Sequence, residues 1–93
     1  ADFEDFVSMG PAAALKLTRT VENLRFIVAI ELLCSAEAAE TRGVHNLSEA
    51  NRGTYRIVRR FVPKLKEDRE ISIDINRLAQ ALSEGAFDSA IAA

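Results

Sequence analysis

The feature that most constrains this chain is a run from Ala12 to Arg42 that contains neither proline nor glycine. Gly10-Pro11 opens the run and Gly43 closes it. Proline suits the first helical position, where its missing N–H would be unpaired anyway. Ala, Leu, Lys, Arg and Glu, which fill much of the run, are good helix formers. The pattern predicts one helix over about 11–42, roughly 46 Å long at ~1.5 Å per residue. A compact domain of 93 residues has a radius of gyration near ~12 Å, hence a diameter of roughly 30 Å. The helix must overhang any core its own chain could build.

What the overhang exposes is therefore decisive. In the first half, Ala14, Leu17, Val21, Leu24 and Val28 recur at three- and four-residue steps and share one face, with Lys16, Arg19, Glu22 and Asn23 away from it. From Phe26 to Cys34 the apolar residues point in every direction, the pattern of a helix surrounded by protein. Glu31 is the sole charge in that stretch and would be costly to bury alone. It is expected to hold a structural ion pair or hydrogen bond, a role in a site being the alternative. Two short helices cannot enclose such a segment, so the pattern asks for further helices from other parts of the chain, from other subunits, or both.

After a turn at Gly43-Val44-His45-Asn46, Ser48 or Asn46 can cap a second helix that stops at Pro63. Its apolar face is Ala50, Tyr55, Ile57, Val58, Phe61 and Val62, with Arg52, Arg56, Arg59 and Arg60 opposite. A charged link from Lys64 to Glu70 leads to a third helix near 74–84, striped by Ile75, Leu78 and Leu82 and ended by Gly85. The Ile71-Ser72-Ile73 alternation is too brief to carry a sheet. The expected class is all-α: one long helix (about 11–42) plus two shorter helices, as part of a larger multi-subunit helical bundle.

Composition narrows the chemistry. The formal net charge is −2, so the chain as a whole has no electrostatic grip on nucleic acid or an anionic membrane. Arg25 and Glu31 interrupt the most apolar stretch, leaving no uncharged span of ~18 residues for a membrane helix. With one cysteine, Cys34, and one histidine, His45, neither an internal disulfide framework nor a Cys/His zinc site can form. This cysteine usage fits a reducing compartment. Cys34 is expected to act as a small hydrophobe and His45 as a surface residue. The arginine face is expected to be solvated or to contact a subunit. At the N-terminus, Asp2, Glu4 and Asp5 stand just ahead of Val7-Ser8-Met9-Gly10. They read as a frayed, solvated end or as a loop feeding a helix N-terminus. The chain opens inside what reads as structured sequence and is expected to be a segment of a longer protein.

Those acids begin a series of blocks that resembles the histidine ammonia-lyase family. Glu4-Asp5-Phe6-Val7-Ser8-Met9-Gly10 is followed by Glu22-Asn23-Leu24-Arg25 and Ala29-Ile30-Glu31-Leu32-Leu33. Val58-Arg59-Arg60-Phe61-Val62-Pro63-Lys64-Leu65 then runs into Asp68-Arg69 and Asp74-Ile75. The blocks keep their order and approximate spacing from Ala1 to about Phe87. The resemblance implies the C-terminal segment of such an enzyme, with residues 1–10 an active-site motif loop, 11–42 a long core helix and 43–93 shorter helices. It further implies a cytoplasmic homotetramer with a shared helical core, the partners of these residues being the rest of the chain and identical subunits, with no nucleic acid and no membrane. Catalysis in the family uses 4-methylideneimidazol-5-one (MIO), formed from an internal Ala-Ser-Gly that these residues lack. The implied reaction eliminates ammonia from L-histidine to give trans-urocanate. The alternatives are a tyrosine or phenylalanine ammonia-lyase or aminomutase of the same family, or a non-catalytic helical oligomerisation segment.

One functional position carries over. The family's motif runs Asn-Gln-Glu-Asp-His-Val-Ser-Met, and Glu4 falls on its glutamate. The resemblance gives Glu4 a catalytic and substrate-binding role: an acceptor-only carboxylate suits an imidazole N–H and can assist proton transfer. Phe3, Phe6 and Asp2 depart from the motif's glutamine, histidine and asparagine, and the two rings would make this part of a pocket more apolar. No metal is implied, and the 93 residues alone are expected to be inactive.

Overall fold

The computed structural model describes the backbone of residues 2–64 and 70–92, and the side chains of residues 10–64 and 70–90. Four α-helices follow one another: α1 (Asp2–Arg42), α2 (Glu49–Phe61), α3 (Ile71–Ser83) and α4 (Asp88–Ala92). A 3-10 turn, Val44–Asn46, joins the first two. No strand occurs among the described residues, so the class is all-α, as the sequence implies. No described helix is long and apolar enough to cross a membrane.

The long helix is longer than expected. Residues 2–10, expected as a loop, are helical, and Pro11 lies inside α1 instead of opening it. A proline in a helix forfeits one backbone hydrogen bond and crowds the carbonyl four residues back. Part of the conflict comes from its ring against the Cβ of the preceding residue. Gly10 has no Cβ, so the backbone can pass through Pro11 without that clash.

The later boundaries follow local chemistry. Ser48 caps α2, its hydroxyl accepting from the Asn51 N–H at 3.2 Å. α3 begins at Ile71, three residues before the expected Asp74, so the Ile-Ser-Ile stretch is its first turn. It ends in a Schellman arrangement: the Ala86 N–H reaches the Ala81 carbonyl at 3.0 Å and the Gly85 N–H reaches Leu82 at 3.2 Å. Gly85 sits at φ 82°, a backbone region that costs a side-chain-bearing residue. The short α4 was not expected.

A single core lies at the C-terminal end of α1. Ala29 and Ala36 of α1 are buried together with Val58, Val62, Leu78, Ala79, Ala81 and Phe87. Leu32, Leu33, Tyr55, Phe61 and Ile75 pack around them. α1 meets α3 over its most extensive contact, and the alanines on both helices let the two backbones approach closely. Asp74, in the first turn of α3, is buried and engaged by a partner, a position where a carboxylate also favours the helix dipole.

The first half of α1 has no such cover. From Gly10 to Leu24 every residue is exposed, including Leu17 at 65% and Leu24 at 53%. The all-round apolar segment is covered on one side only: Ala29 is buried, while Phe26, Ile27, Val28 and Ile30 are all at 40% or more. Thr18 and Thr20 turn their hydroxyls back to the carbonyls of Ala14 and Lys16 at 2.9 Å, which spends polar groups the surface could have shown to water. The radius of gyration is 17.9 Å and the longest dimension 62 Å. The chain exposes 7126 Å², against about 5,300 Å² for a globular monomer of its mass.

Leu78 is fully buried at the centre of the core. Leu78→Ala is expected to destabilise the fold by about 2–5 kcal/mol, read as a lower denaturant midpoint. Leu17→Ala, at an open position, should change stability far less within this chain.

Candidate functional site

The sequence-designated residue, Glu4, lies in the first turns of α1, at the free end of the overhang. Its side chain, with those of Asp2, Phe3, Asp5 and Phe6, lies outside the described residues. What the backbone establishes is placement: the acidic motif is carried on a continuous helix and not on a loop. It is separated from the core at Ala29 by about seven turns of helix.

The remaining candidates separate clearly. Cys34 and Glu31 are both exposed, on the solvent side of the stretch of α1 that carries the core residues Ala29 and Ala36. Glu31 has no ion pair or hydrogen bond among the described residues, so the expected partner is not supplied here. His45 is exposed on the 3-10 turn. Among the described residues no group of three His, Cys, Asp or Glu side chains could hold a metal ion. A cleft of about 300 Å³ between α1 and α2 is lined by Leu32, Ala36, Val58, Ser35, Thr54 and Tyr55, among others, without an acid or base beside a nucleophile.

One charged cluster was not anticipated. Arg59, read from sequence as part of an outward arginine face, turns in against the end of α1. One Nη2 atom lies 3.0 Å from Glu37 Oε1 and 2.8 Å from Glu40 Oε1. Its Nη1 donates to the Val62 carbonyl at 3.3 Å, and its guanidinium carbon stands 5.6 Å from the centre of the Tyr55 ring. The Tyr55 hydroxyl donates to Glu40 Oε1 at 2.5 Å, and Lys64 Nζ lies 3.7 Å from Glu40 Oε2. The Arg59 and Glu40 side chains are only 12% and 13% exposed. Arg52, Arg56 and Arg60 stay on other sides of α2, Arg56 and Arg60 in solvent. The signal that could have found the cluster is the Glu37, Glu40 pair, three residues apart on one face of the last turns of α1.

The electrostatics of the cluster follow from its partners. Burial alone pushes the Glu40 carboxyl up, but the Tyr55 hydrogen bond and the charges of Arg59 and Lys64 outweigh it and hold the group below its ordinary value. Tyr55 is raised, first by donating to Glu40 and then by burial. The contacts named here hold segments together, while Arg59 Nε is buried without a hydrogen-bond partner among the described residues. The arrangement fastens α1, α2 and the chain leaving α2.

Comparison with known proteins places this geometry in context. The family model described as aromatic amino acid lyase matches residues 1–60. The histidine ammonia-lyase of Symbiobacterium thermophilum is 41% identical over 93 residues, covering all of this chain and 18% of that protein. Those of Natranaerobius thermophilus and Geobacillus kaustophilus are 41% and 42% identical over 85 and 86 residues, each matched over 17% of its length. The chain thus spans less than a fifth of the length of these relatives. No solved structure matches it.

A folded-state carboxyl held low contributes stability that is complete above its ordinary value of 4.5 and is lost as pH falls through the lowered value. Glu40→Gln is therefore expected to flatten the fall in stability on acidification below about pH 4.5. In a double-mutant cycle with Arg59→Met, the coupling should be about 1–2 kcal/mol. An unchanged acid limb, with coupling near zero, would show that the pair adds nothing beyond a surface contact.

Proposed function

The chain belongs to the aromatic amino acid lyase family, and from that premise we propose that it is the C-terminal segment of a cytoplasmic ammonia-lyase acting on L-histidine. The observation that carries this reading is Glu4, set in Glu4-Asp5-Phe6-Val7-Ser8-Met9, in a chain about 40% identical over most or all of its length to proteins named histidine ammonia-lyase.

In this reading residues 1–10 are the substrate-facing part of the segment. The Glu4 carboxylate accepts a hydrogen bond from the substrate's imidazole N–H, which orients the ring, and is placed to assist movement of the β-proton. Loss of that proton and of ammonia leaves a carbon–carbon double bond, giving trans-urocanate. The family's MIO group, when bound, supplies the electrophile that turns the amino group into a good leaving group. These 93 residues contain no Ala-Ser-Gly. The electrophile therefore belongs to other parts of the enzyme, and the 93 residues by themselves are inactive.

The same reading accounts for the surface. A helix left apolar on its outer face from Leu15 to Ile30 is stable in water only when other helices cover it. The excess of roughly 1,800 Å² over a globular monomer is about twice the ~800 Å² that one partner contributes to a standard protein interface. The covering helices are those of the rest of the enzyme and of identical subunits in a homotetramer. A second substrate reading rests on Phe3 and Phe6: two rings beside the acid pair suit tyrosine or phenylalanine, as a lyase or aminomutase substrate, better than they suit imidazole.

Rates of the whole enzyme on histidine, tyrosine and phenylalanine separate these readings, and a clear preference for histidine is expected. Glu4→Gln in that enzyme should lower turnover on histidine by about 10²–10⁴-fold with the assembly intact by sedimentation. An unchanged rate would remove Glu4 from the mechanism. Leu24→Asp combined with Ile27→Asp should disrupt assembly, since both side chains would bury an unpaired charge. Full-sized assemblies of that variant would show that this face of α1 is not covered by protein.

A further inference from the structure

We draw no further inference here: the strongest candidate, the uncovered apolar surface of α1 between Leu15 and Ile30, belongs to the assembly already proposed, and nothing in the structure shows what else would cover it.

Discussion

α1 spans 41 residues, about 60 Å of rise, yet the residues that bury any of it begin at Ala29 and end near Glu40. That mismatch governs the rest of the chain. Three short helices can enclose only one side of a rod for about three turns, and here they do so at its C-terminal end. The other two-thirds of the rod is a helix without a core. An isolated helix gains little from propensity alone, and its apolar stripe gains nothing while it faces water. Folding of the N-terminal half and covering of that half are therefore one event, which ties the order of the acidic motif to whatever packs alongside.

The C-terminal end has the opposite character, because its geometry is set internally. Two small alanines on α1 admit α3 at close range, and Val58, Val62 and Phe87 fill the remaining sides. Arg59 then joins three segments through one guanidinium: two carboxylates of α1, the Tyr55 ring of α2 and the carbonyl of Val62 just past the helix. Such a network contributes modestly to stability and more to which arrangement is adopted, since an alternative packing would strand a nearly buried charge. The packing among the described residues is thus set at the C-terminal end of α1, and the acidic motif stands at its other end.

This division also explains what could be read from the residues alone. The all-α class, the end of α1 at Gly43, the Ser48 cap and the stop at Gly85 were legible because each is written in one or two residues acting locally. So was the need for partners, because an apolar segment facing all directions does not depend on tertiary detail. The start of α1 was not legible: the preference of proline for a first turn is a local tendency, and Gly10, lacking a Cβ, relieves part of the clash that favours it. α3 took in Ile71-Ser72-Ile73 although no side chain caps its start, and α4 is one turn of helix without a strong signal. Arg59 escaped because its partner Glu37 lies 22 positions away, where helical periodicity says nothing. Of the candidate site, Glu4 was legible only through resemblance to a family, since a lone carboxylate near a chain end has no pattern of its own.

A continuous helix between motif and core also sets the rotational phase of one against the other. One residue inserted or deleted between Ala12 and Val28 would turn the acidic motif by about 100° around the helix axis and slide it about 1.5 Å along it. A change of seven residues would restore the facing, at close to two full turns, but displace the motif by roughly 10 Å. Loops absorb length changes with little cost, and a rod absorbs none. Insertions in related chains should therefore gather at the Gly43–Ser48 corner and beyond Pro63, while the spacing from Glu4 to Ala29 stays invariant.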